Sequence, residues 1–190
     1  MTELAILLPL VAFLALAIGF AIVLRRAGSI VARTREMESF RSSVRELAAR
    51  IDRSLDGAVG RIDAVRRQQL GADTMAATIE AATNAVARYT DEARALHGPP
   101  AAEAIRDELV AELERADRAL RMVDHGATIM AQAIRRGREL EAQTSIKRGY
   151  LNLVHAREAI IRHAARAADL QATFAPAPAE PPATLHEPRP

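Results

Sequence analysis

Cysteine and tryptophan are absent from this 190-residue chain, and lysine occurs once, at Lys147. Without cysteine there is no disulfide framework, no thiolate nucleophile and no cysteine-ligated zinc. Aromatic side chains make up 3% of the chain: Phe13, Phe20, Phe40, Phe174, Tyr89 and Tyr150. Alanine, the best helix former, occupies 41 positions. Such a composition is poor in strand formers and argues against a β-sandwich, a barrel or a doubly wound sheet. The sequence reads as all-α.

Charge is missing from Leu4 to Leu24, a run of 21 residues. As a helix it would be roughly 32 Å long at about 1.5 Å per residue, the thickness of a hydrocarbon core. A cleaved signal peptide would carry a positive start and a shorter apolar stretch. Here only Glu3 is charged before the run, and Arg25-Arg26 follows it directly. The expectation is an uncleaved single-pass transmembrane helix at 4–24, after a short external N-terminus at 1–3. Arg25, Arg26, Arg33 and Arg35 all lie on the C-terminal side of the run. By the positive-inside rule the bulk of the chain is then cytoplasmic, at the inner (plasma) membrane. The lipid bilayer is thus its first expected partner.

Proline is also confined. Six of the nine fall between Pro176 and Pro190. This predicts a Pro-rich disordered tail over 173–190, in which Pro178 and Pro181 give one PxxP spacing. Only Pro99 and Pro100 interrupt residues 26–172. They follow His97-Gly98, a stop-and-restart signal. The region therefore divides into a first helical arm (25–97), a turn (98–100) and a second arm (101–172).

Both arms carry an apolar seam at 4-3 spacing. The first runs through Phe40, Val44, Leu47, Ile51, Leu55, Ala58, Ile62 and Val65, with one stutter, and then through Met75, Ile79, Ala82, Val86, Tyr89, Ala93 and Leu96. The second runs through Ile105, Leu109, Leu113, Ala116, Leu120, Val123, Ala127, Met130 and Ile134, and less cleanly through Tyr150, Leu153, Ile160, Ala164 and Ala167. A 3.5-residue repeat of this length indicates coiled-coil-like packing. Two architectures fit. One is a long antiparallel coiled-coil hairpin with its tip at Gly98–Pro100, matching Gly71 with Ala127 beside Gly126, and Gly60 with Arg138 beside Gly137. The other folds each arm again, near Gly71–Asp73 and near Gln143–Ser145, into a compact three- or four-helix bundle. The small residues that meet across the pair favour the hairpin. In that hairpin Arg25, Arg26, Arg33, Arg35, Arg41, Arg45, Arg157, Arg162 and Arg166 form a membrane-proximal basic collar, and the acidic segment 73–124 forms a distal head. Anionic cytoplasmic leaflets attract such a collar.

Site chemistry is not legible. No Glu-x-x-His or His-Glu-x-x-His motif occurs, and His155 with Glu158 has the reverse order. Gly57-Ala-Val-Gly60 lacks phosphate-loop spacing, and Ser42, Ser43 and Ser54 sit in no elbow motif. No catalytic, cofactor-binding or metal-ligating residue is assigned, and no cofactor. The pI of 9.6 comes from 25 arginines against 24 acids, a net charge of only +2. With so few aromatics and no binding motif, nucleic acid is not an expected partner.

The plan resembles, in architecture alone, bacterial single-pass proteins with one anchor and a cytoplasmic coiled coil, and the lysine-poor composition is that of a GC-rich genome. The resemblance carries no motif and no activity. The expected function is a membrane-anchored structural or protein-interaction module, not an enzyme. Its partners would be another copy of itself, aided by Ala15-x-x-x-Gly19 in the span, or an unknown protein. A membrane-coupled signalling or sensor component is the second expectation.

Overall fold

Alanine, leucine, arginine and glutamate fill the chain between its few breakers, and the backbone is helical almost wherever it is described. The computed structural model describes the backbone over residues 2–132 and 137–170. It describes side chains at 14, 16–21, 31–132 and 137–170. Four helices account for nearly all of it: α1 (Thr2–Arg66), α2 (Ala76–Arg94), α3 (Pro100–Ala131) and α4 (Glu139–Asp169), with a 3-10 turn at Ala72–Met75 leading into α2. The Pro-rich tail falls outside the described residues, as does Ile134 of the seam.

Each break has a local cause. α1 ends where Gln68 takes a left-handed conformation at φ 61°. Gln69 N–H donates to the Ala64 carbonyl and Gln68 N–H to that of Val65, at 2.8 and 2.9 Å. This is a Schellman stop with glutamine in the seat usually held by glycine. Between α2 and α3, Pro100 opens α3, and the N–H of Ala102 closes a turn on the Pro99 carbonyl at 2.8 Å. Between α3 and α4, Gly137 at φ 124° turns the chain. The expected break near Gln143–Ser145 is not there. Thr144 lies inside α4, its hydroxyl donating to the Leu140 carbonyl at 2.7 Å.

The four helices pack in sequence order around a square. α1 adjoins α2 and α4, α3 adjoins the same two, and α1 and α3 touch only across the diagonal. Cross-helix contacts give the directions. Tyr89 reaches Ser54 and Glu92 reaches Arg50, so α2 runs against α1. Ser145 meets Met122 and Arg166 meets Glu108, so α4 runs against α3. The result is an up-down-up-down four-helix bundle. The long two-arm hairpin is therefore not the architecture observed; each arm doubles back on itself. Seam spacing alone does not distinguish the two, because both bury the same positions.

Most seam positions lie in the core. Phe40 through Val65 on α1, Met75 through Ala93, Ile105 through Ala127, and Leu153, Ile160 and Ala167 are all buried in one core. Leu96, Met130, Tyr150 and Ala164 are half-buried at its edge. The glycine matching proposed for the hairpin fails. Gly57 and Gly60 face open space, whereas Gly126 lies against Ala142 and Ile146, and Gly149 against Ala119 and Val123.

α1 is 65 residues long, about 98 Å at 1.5 Å per residue. Among the described side chains of α1, burial begins at Met37 and residues 31–36 are all exposed, so the packed part of the helix is its C-terminal part. Among the described residues no helix is long and apolar enough to cross a membrane. Most side chains of the 4–24 run lie outside the described residues.

Candidate functional site

Three surface depressions of about 470 to 580 Å³ lie between helices. The first, between α1 and α2, is lined by Ser54, Gly57, Arg61, Ala77, Thr78 and Ala81 among others. These are small side chains around one arginine, with no acid, base and nucleophile set together. Among the described residues no group of three or more His, Asp and Glu side chains could hold a metal ion. The polar chemistry of the molecule lies instead in ties between neighbouring helices.

Tyr89 makes the most buried of these ties. Its ring is in the core, its hydroxyl is 2.8 Å from that of Ser54, and Arg50 stacks over the ring at 5.7 Å while pairing with Glu92. A buried ring with its hydroxyl at the edge is the usual compromise for tyrosine. Arg157 ties α4 to α1 through Asp52 at 2.6 Å and Asp56 at 2.9 Å. Arg66 stacks over Tyr150 at 5.2 Å. Glu108 on α3 receives both His163 at 3.0 Å and Arg166 at 2.7 Å from α4. None of these partners is close in sequence, so none could be read from spacing.

The charge pattern also changes with the fold. Gly98, placed by the hairpin at a distal acidic tip, packs on Phe40, where α1 enters the bundle. The acidic segment therefore runs the full length of the bundle as α2 and α3 and does not form a head. Of the collar residues, Arg33 and Arg35 lie on the exposed stalk of α1. Arg41 pairs with Glu38, Arg162 with Glu158, Arg157 with two aspartates and Arg166 with Glu108, and Arg45 is exposed nearby. Arg25 and Arg26 lie outside the described side chains.

Two ion clusters mark the opposite end of the bundle. Hydrogen bonds from Arg66 hold the Asp63 carboxyl below the ordinary carboxylate range, with the charge of Arg67 adding to the effect. A two-pronged hydrogen bond from Arg138 does the same for Glu141. A carboxyl whose native pKa is depressed stabilises the fold above its unfolded pKa, and that contribution is lost as pH falls through the native value. Acidification should therefore remove this contribution. The double variant Asp63→Asn/Glu141→Gln should show a flatter fall of melting temperature between about pH 5 and pH 2, and added salt should narrow the difference from the parent. An unchanged acid slope would assign the sensitivity elsewhere.

In comparison with known proteins, the chain matches no family model, no curated protein and no solved structure.

Proposed function

We propose that the chain is a membrane-anchored interaction module: a four-helix bundle carried on the end of a long helix whose N-terminal part sits in a bilayer. One observation carries this reading. The large described side chains within the apolar run, Leu14, Leu16, Ile18 and Phe20, are 53–74% exposed among the described residues. An uncharged apolar run whose large side chains are exposed among the described residues needs apolar surroundings, and a bilayer supplies them. Arg25 and Arg26 then mark the cytoplasmic boundary at the inner (plasma) membrane, and the bundle stands in the cytoplasm. In this reading the module performs no reaction. It binds other proteins, or a further copy of itself, through helix faces rather than a pocket.

A second reading, a membrane-coupled signalling or sensor component, is favoured by the continuity of α1. The helix is unbroken from Thr2 to Arg66, so a shift or rotation in the apolar part would pass directly to the bundle core at Phe40 and Val44.

Both readings share one topology, which is open to a direct test. A reporter active only in the cytoplasm, fused after Arg189, should be fully active, and one active only outside the membrane should be silent. The reverse pattern would overturn the orientation, and recovery of the full chain without membranes would overturn the anchor.

A further inference from the structure

α4 has two apolar faces, and only one is covered. Ala142, Ile146, Leu153, Ala156 and Ile160 point into the bundle. Leu140, Leu151 and Ile161 point away from it, at 76%, 44% and 45% exposure, with Val154 half-buried beside them. At about 100° per residue these four fall within roughly 80° of arc, about 135° around the helix from the core face. Together with Thr144, Lys147, Glu158 and Ala165 they follow an unbroken 4-3 spacing, which is a second seam facing outward. An outward seam on a helix already committed to a bundle is the surface expected of an interface.

Its two charges identify the occupant. Lys147 forms no ion pair among the described residues, and Glu158 has only Arg162, at 3.9 Å. If a second α4 lay parallel, Lys147 would face Lys147 and Glu158 would face Glu158. If it lay antiparallel, centred between Leu151 and Val154, each Lys147 would face a Glu158. The same register sets Leu151 against Val154, Thr144 against Ile161 and Leu140 against Ala165. On the flank it sets Glu141 against Arg162. The seam is self-complementary in one orientation only, as a two-fold interface requires.

We propose that two copies of this chain pair through the outer face of α4, antiparallel, with Lys147 of each against Glu158 of the other. The inference rests on the self-association reading above and gives it a surface and a direction. It also has a consequence for the stalks. α1 runs against α4 in each copy, so paired copies send their N-terminal helices out at opposite ends. Anchors joined in this way would enter two facing stretches of membrane.

The absence of cysteine makes the test clean. Full-length Lys147→Cys and Glu158→Cys copies, distinctly tagged, are purified in mild detergent and oxidised alone and mixed. The mixture should give disulfide dimer roughly tenfold or more above either variant alone, because like positions in the antiparallel pair are too far apart to bridge. An exposed control, Arg88→Cys, should give none. Self-linking by each single variant would overturn the antiparallel register, and equal linking by the control would overturn the interface. No linking, with dimer still present by light scattering, would overturn the α4 surface and leave self-association standing; monomer alone would overturn both. Charge reversal gives an independent arm. Lys147→Glu should weaken dimerisation on the order of tenfold, and adding Glu158→Lys should restore it, with unchanged melting of the bundle in each case. Failure of the second change to restore pairing would overturn the contact.

Discussion

Replacing Gly149 by alanine should destabilise the bundle, although alanine is the better helix former. The reason is the distance between α3 and α4. A Cβ at Gly149 would lie 2.6 Å from Cγ2 of Val123 and 2.7 Å from the backbone oxygen of Ala119. One at Gly126 would lie 2.7 Å from Cγ1 of Ile146 and 2.8 Å from the oxygen of Ala142. The side chains could turn aside, but the backbone oxygens could not, so one methyl group would push the helices apart along their length. Overpacking of this kind costs about 1–3 kcal/mol, more than the roughly 1 kcal/mol that alanine gains over glycine in a helix. Gly57 and Gly60 are the controls. Each is in the interior of α1 with nothing within 4 Å of its Cβ position, so alanine there should stabilise by about 0.5–1 kcal/mol. Thermal unfolding of the full chain in detergent, followed by circular dichroism, should move in opposite directions for the two pairs. If all four variants shifted the same way, the close α3–α4 approach would be wrong.

Those glycines also show how far the sequence can be read. Their number is plain, but which surface each one meets depends on which helices are neighbours. The hairpin matched Gly71 with Ala127, beside Gly126, whereas the fold sets Gly126 on Ile146. Seams fared better, because burial follows from periodicity within one helix and needs no knowledge of the partner. Phe40, Val44, Leu47, Ile51, Leu55, Ala58, Ile62 and Val65 are all buried, and the stutter among them did not end the helix. The helix ends where no seam residue and no proline signals it, through a left-handed Gln68. Glutamine is seldom found in that seat, and Gly71, three residues on, was the visible trace. The break between α3 and α4 carries one signal, Gly137 at φ 124°, and a lone glycine in a sequence is as compatible with close helix packing as with a turn. Outward apolar positions such as Leu151 and Ile161 are hard to separate in the sequence from the stronger inner seam of the same helix.

The largest loss is expected from a charge placed in the core. Val86 and Leu109 face the centre of the bundle, at 0% and 1% exposure, on the two helices that meet across Gly98–Pro100. Val86→Asp sets a carboxyl where no polar partner waits, and it must either remain charged without water or take up a proton. A cost on the order of 4–5 kcal/mol is the exceptional end of the range for single substitutions. It would consume most of a stability of roughly 5–15 kcal/mol. Leu109→Ala leaves a cavity instead and should cost about 2–5 kcal/mol. Arg115→Ala removes only a half-exposed pair with Glu112 at 3.6 Å, worth about 0–1 kcal/mol. The full chain is the proper host for these variants. A fragment spanning 73–126 would contain α2 and most of α3 but leave Leu120 and Val123 without α4, so its melting would report exposure of the wrong surface. Urea unfolding in detergent, followed by helicity, should place the midpoints in the order Arg115→Ala, Leu109→Ala, Val86→Asp, from most to least stable. Helicity in the apolar part of α1 should survive in all three, since among the described side chains burial begins only at Met37. Parent-like unfolding of Leu109→Ala beside collapse of Arg115→Ala would mean that the seam faces outward and that the helices pack on their charged sides.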